Sequence, residues 1–242
     1  MKHIVKKISP FVFIFLLISC DRETIKVSDS ITEVKVNVGN YSGVKVSDAF
    51  TVYLTFDENE ESIVVEANAN LQSSIIVEKD DDYLRIKVKN NTNIKGDAVM
   101  NVYISTASIN EIYAAGATQV VLNNQWVNPI SKIELSGASN LMGEIEMEEL
   151  ELNASGASNV DLYGSLGSLK SSLAGSSHLK DFDLNLASLE IDLSGASTAS
   201  LSVSEVIKVH ASGASLLYYK GDAIIEEQEL SGSSQVKKIS SL

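Results

Sequence analysis

The chain has 242 residues, 44% of them hydrophobic, with one cysteine, two prolines and a formal charge of -13 from 32 acidic and 19 basic side chains. That length suits one domain or two small ones, and the hydrophobic content is too high for a disordered chain. A lone cysteine excludes a disulfide framework and a four-thiolate zinc site, and the acidic balance speaks against nucleic acid, which needs clustered Lys and Arg.

Lys2, Lys6 and Lys7 precede the apolar run 8–18, ISPFVFIFLLI, a basic n-region before an h-region too short to span a bilayer. Residues 1–19 therefore read as a secretory signal. The run ends in Leu17-Ile18-Ser19-Cys20, which resembles the bacterial lipoprotein lipobox, where cleavage precedes a cysteine whose thiol is then acylated. A thiol that carries lipid needs no partner, and Cys20 has none downstream. Three lysines and no acids leave with the signal, so the mature chain is more acidic still. An anionic lipid surface repels it, and the membrane partnership rests on the acyl chains of Cys20. Residues 20–30 are expected to be the lipidated cysteine and a polar tether.

From residue 31 the pattern is β to the end of the chain, and one domain over 31–242 is expected. In its first part, 31–108, the stretches 34–38, 50–56 and 84–88 alternate cleanly between apolar and polar residues. The acidic runs 57–61 and 80–82 separate them as loops, and no Pro-rich or Gly/Ser linker divides this part from the rest of the chain. These strands are expected to begin or cap a stack.

In the second part, 109–242, a short box recurs seven times: AAGAT at Gly116, LSGAS at Gly137, ASGAS at Gly156, LAGSS at Gly175, LSGAS at Gly195, ASGAS at Gly213 and LSGSS at Gly232. The spacing averages about 19 residues, close to one turn of a β-solenoid. Two residues before each glycine and four after it the side chain is apolar in every box, while the outward columns are mostly polar and variable. Two residues after each glycine a hydroxyl stands seven times in seven: Thr118, Ser139, Ser158, Ser177, Ser197, Ser215 and Ser234. A period of two places glycine and hydroxyl on the inward face, as a tight corner in which stacked hydroxyls satisfy one another or the corner's backbone groups. Seven rungs at about 4.8 Å each make a rod of about 34 Å.

Catalysis needs unlike groups in one place, and this pattern offers repeated like ones. His178 and His210 occupy different outward columns two rungs apart and are poorly placed as joint ligands or as a shared acid and base. Seven equivalent hydroxyls indicate structure rather than a nucleophile. The acidic runs lack the D-x-D-x-D-G spacing of a calcium loop and read as solvated turns. No metal site, cofactor or catalytic residue is expected. Trp126, Tyr163, Tyr218 and Tyr219 are the candidates for an aromatic surface that stacks on sugars or packs against a partner.

The lipobox, the alternating strands that end in 99–105, and above all LSGASN at 135–140 and ASGASN at 154–159 resemble the family called putative auto-transporter adhesin, head GIN domain, over about residues 40–236. The chain departs from that pattern at Ala115 and Ala174, where serine usually precedes the glycine. The resemblance implies a right-handed parallel β-helix-like solenoid, all-β, exported to the bacterial cell envelope, and it supplies no catalytic residues. The expected role is a non-enzymatic outer-membrane lipoprotein facing the periplasm or the cell surface. Its solenoid face meets a glycan or an envelope or host protein. The alternatives are a β-helix carbohydrate-active enzyme, recognisable by acidic side chains from neighbouring rungs meeting in a concave groove, and a structural envelope protein that self-associates.

Overall fold

The computed structural model describes residues 23–240. The signal reading over 1–19 and the lipidation reading at Cys20 lie outside them. Among the described residues there is no α-helix. Nine strands form the first part: β1 (Glu23–Lys26), β2 (Ile31–Lys35), β3 (Gly43–Val46), β4 (Thr51–Phe56), β5 (Ser62–Asn68), β6 (Ile75–Asp80), β7 (Tyr83–Val88), β8 (Thr92–Lys95) and β9 (Met100–Thr106). Ten more complete the chain: β10 (Glu111–Ala114), β11 (Gln119–Leu122), β12 (Trp126–Leu135), β13 (Asn140–Ala154), β14 (Asn159–Leu173), β15 (His178–Leu193), β16 (Thr198–Ala211), β17 (Leu216–Lys220), β18 (Ile224–Leu230) and β19 (Gln235–Lys238).

From β10 onward every neighbouring pair is parallel, and each corner box sits over the one before it. This is the β-solenoid that the spacing predicts. The two apolar columns that flank the corner lie in its interior, with Leu135, Leu141, Leu173 and Leu179 all at most 2% exposed, except in the last rung, where Leu230 is exposed and Val236 half-buried. Period-two alternation, with both arms of each rung closing on one core, keeps these columns dry.

The corner differs from the expectation in one respect. The glycine is exposed at the apex, with its two neighbours partly or fully exposed, and the hydroxyl beyond it is buried in every box but the last, where Ser234 is half-buried. Positive φ, +80° at Gly116 and +75° at Gly175, turns the chain so sharply that alternation restarts after the corner. Each hydroxyl donates to the carbonyl three residues back: Thr118 to Ala115 at 2.8 Å, Ser158 to Ser155 at 2.8 Å, Ser197 to Ser194 at 2.9 Å. The hydroxyls therefore serve the backbone of their own corner. The glycine carbonyl points along the stack and accepts the next rung's amide, as Gly156 O does from Ser176 N at 2.7 Å.

The first part both begins the stack and caps it. β3 and β4 form a rung beneath β10 and β11, cornered at Asp48 with φ +73°. Ala117 N donates to Asp48 O at 2.6 Å, so Asp48 starts the ladder that the glycines continue. β7 and β9, later in sequence, lie beneath that rung in parallel. Against them β6 and β5 run antiparallel, and β2 runs antiparallel to β5. Antiparallel strands end the parallel stack without leaving its apolar first rung open to water. The chain then returns over two levels through 107–110, where Ile109 is buried and its carbonyl accepts the Trp126 indole N–H at 3.0 Å.

A polar tether over 20–30 does not describe residues 23–26. They form β1, parallel to β8 in a separate two-stranded sheet, because β-branched Thr24 and Ile25 find an open edge there. The Asn70 side chain fixes the exit, donating to Lys26 O at 2.8 Å and accepting from Ser28 N at 2.9 Å.

Candidate binding face

The sheet arm that leads into each corner carries two outward columns. Three residues before the corner, in chain order along β10 to β18, stand Tyr113, Glu134, Asn153, Ser172, Asp192, His210 and Glu229. Five residues before it the registered partners are Glu111, Lys132, Glu151, Lys170, Glu190, Lys208 and Glu227, acid and base in strict alternation over seven rungs. Identical stacking would place like charges one strand spacing apart; alternation turns that repulsion into pairing. Lys132 Nζ reaches Glu151 at 3.4 Å and Lys170 Nζ reaches Glu190 at 2.9 Å. Exposed pairs of this kind add little stability, so what the alternation chiefly achieves is to keep like charges from stacking.

Between the corner and these columns a groove of about 510 Å³ runs along the stack. Small residues beside the corner, Ser136, Ser155 and Ala174, line it, and Lys45, Arg85 and Lys87 stand at its capped end. Toward the open end it shares Ser172 with a second trough that holds Asp192, Ser194, His210 and Glu229. The face thus runs from cationic to acidic, although Arg85 also pairs with Asp80.

An aromatic cluster stands at the cationic end. Tyr83 and Tyr113 meet edge to face at 5.5 Å, and Lys45 Nζ lies 3.3 Å over the Tyr83 ring. Glu111 accepts from both phenols, Tyr83 at 2.8 Å and Tyr113 at 2.5 Å. The Tyr113 bond leads in holding the Glu111 carboxyl below the usual carboxylate range against its partial burial, with further help from Tyr83, Lys132 and Lys45. Burial and the Glu111 carboxylate push the Tyr113 phenol up.

A folded-state pKa lowered in this way contributes stability that is present above the unfolded carboxyl's value and is lost as pH falls through the folded one. Glu111→Gln is expected to cost about 1 kcal/mol near pH 7, the scale of a charge-assisted bond at a partly exposed site. The gap should close toward pH 3. Denaturation midpoints of both proteins from pH 3 to 8 check this; a gap that stays constant over that range would show that the ionised carboxylate is not the source.

The aromatic candidates from the sequence do not form one surface. Trp126 is a correction: it is 1% exposed, stacks on Phe56 at 5.9 Å and sits in the core. Tyr219 is also buried, at 7% exposure. Both point inward because they lie an even number of residues past a corner glycine. Tyr163 is exposed and Tyr218 half-buried, each on the arm that leaves the corner, away from the groove. His178 and His210 stay on different arms. His210, on the entering arm, meets carboxylates instead: Nδ1 lies 3.0 Å from Asp192 and Nε2 3.3 Å from Glu227, and these neighbours hold its pKa above the ordinary histidine value. In the acidic runs, Asp57 accepts from Asn59 N at 2.8 Å as an ordinary turn.

Residues 40–223 match the model of the family described as putative auto-transporter adhesin, head GIN domain. Among solved structures, a putative adhesin from Bacteroides fragilis NCTC 9343 superposes with a TM-score of 0.82 at 18% identity, over 89% of this chain and 100% of that one. A putative adhesin from Parabacteroides merdae ATCC 43184 gives 0.70 at 15% identity over 90% and 100%. A putative lipid binding protein from Parabacteroides distasonis ATCC 8503 gives 0.73 at 18% over 90% and 100%. At these identities the likeness is one of fold. No curated protein matches the chain.

Proposed function

From the premise that this chain belongs to the putative auto-transporter adhesin, head GIN domain family, we propose that it is a non-enzymatic binding module of the bacterial cell envelope. It is held to the outer membrane by lipid on Cys20 and presents its groove to a glycan or protein partner. The observation that carries this reading is the groove beside the corner, an axial channel with small side chains along it and Lys45 and Lys87 at its capped end, followed along the stack by the second trough that holds Asp192 and Glu229. An extended ligand fits such a channel, since side chains recur there every strand spacing and leave room above the serines and alanines. Its acidic groups would lie toward Lys45. A non-enzymatic role is supported by the corner hydroxyls, which donate to the backbone carbonyls three residues back, six of the seven being buried.

The test is a glycan-array and extracellular-matrix binding screen with the full chain in detergent, beside the double variant Ser136→Trp, Ser155→Trp, whose exposed positions accept bulk without touching the core. The native chain is expected to bind at least one ligand class and the variant to bind it at least tenfold more weakly. Silence of the native chain, or equal binding by both, would remove this reading.

A further inference from the structure

Asp192, His210 and Glu229 are directly registered on three successive strands, β15, β16 and β18. Glu227, two residues before Glu229 on β18, projects to the same side. Ligand-type atoms of His210, Glu227 and Glu229 all lie within 4.8 Å of one another. Asp192 stands on the other ring nitrogen, its Oδ1 3.0 Å from Nδ1. Three carboxylates therefore converge on one imidazole. The lysines nearby in register are engaged elsewhere: Lys208 with Glu226 at 3.3 Å and Lys170 with Glu190 at 2.9 Å. Even a charged imidazole leaves this corner of the last rungs with an excess of negative charge.

We propose that His210 Nε2, Glu227 and Glu229 form a zinc site, with Asp192 orienting the imidazole through Nδ1. The donor set decides the metal class. Calcium takes six to eight oxygens and magnesium a near-octahedral oxygen shell, whereas zinc accepts one imidazole, carboxylate oxygens and water at about 2.0–2.2 Å. A metal-bound histidine characteristically gives its other N–H to a carboxylate, which sets the tautomer and the ring plane; Asp192 is placed to receive it. The ligand atoms are a little wider apart than around a bound ion, and the exposed Glu227 and Glu229 side chains can close that distance without moving the strands. Three protein ligands leave a coordination position open to water or to a donor from outside the chain. This site does not depend on what the groove binds.

Calorimetric titration of Zn²⁺ into the full chain in detergent tests it, with any unacylated Cys20 thiol alkylated beforehand so that it offers no competing ligand. One saturable site is expected. His210→Ala should weaken it at least tenfold, and His178→Ala, on the other arm, should leave it unchanged. Imidazole ¹⁵N signals should place zinc on Nε2 of His210 and a proton on Nδ1. Circular dichroism should be the same for all variants, because His178 and His210 lie outside the core. Several outcomes overturn the proposal: no saturable binding below millimolar zinc, equal loss in His178→Ala, zinc on Nδ1, or calcium binding as tightly as zinc and indifferent to His210→Ala.

Discussion

Gly175→Ala is expected to destabilise the protein by about 3–5 kcal/mol, far more than a surface alanine should. Two costs add. At φ +75° an L side chain is strained by about 1–3 kcal/mol. A Cβ there would also stand 2.5 Å from the Gly156 carbonyl oxygen, which is backbone and already bonded to Ser176 N, so the rungs must separate to admit it. The first corner supplies the control. Asp48 has nearly the same φ, but its Cβ meets no corner of the same kind below it, and its Oδ2 accepts from Val88 N at 2.8 Å. Asp48→Gly should change stability by no more than about 1 kcal/mol, the worth of that bond against relieved strain. Urea denaturation of the two variants beside the native chain measures both. A cost below about 1 kcal/mol for Gly175→Ala would mean that the corners are not packed backbone on backbone.

Trp126→Ala should cost about 3–5 kcal/mol, the usual range for emptying a large buried aromatic site. The indole is the chain's only tryptophan; it stacks on Phe56 and donates to Ile109 O. It thereby ties the rung of β11 and β12 to the segment by which the chain climbs over its own first rung. Its loss should loosen 107–110 before the distal rungs, visible as faster amide exchange in that segment. Trp126→Phe keeps the stacking and removes the N–H, leaving one carbonyl unpaired, so about 1–2 kcal/mol is expected. In the native chain the indole fluorescence should lie well to the blue of free tryptophan. Emission at the position of solvated indole, or no loss of stability in Trp126→Ala, would contradict the buried placement.

The aromatic candidates show how much a simple count could have done. Trp126 lies ten residues past Gly116 and Tyr219 six past Gly213, both even and both inward; Tyr163 and Tyr218 are odd and outward. The charge ladder was equally legible, since reading five residues back from each glycine returns Glu, Lys, Glu, Lys, Glu, Lys, Glu. The Asp48 corner was not. Val46-Ser47-Asp48-Ala49-Phe50 replaces the glycine with aspartate and the hydroxyl with a phenylalanine, and so it does not read as a box. The box is obligatory only where a like corner lies beneath, and beneath Asp48 there is none.

Sequence alone determined the rung: its length, its inward residues and its corner, because every rung meets the same local demands of alternation and of a carbonyl stacked under a glycine. Tertiary structure alone decided the order of the early levels, with β7 and β9 lying below β3 and β4 although they come later in the chain. Pairing between distant strands depends on which edge is open when the chain returns, and periodicity carries no record of that.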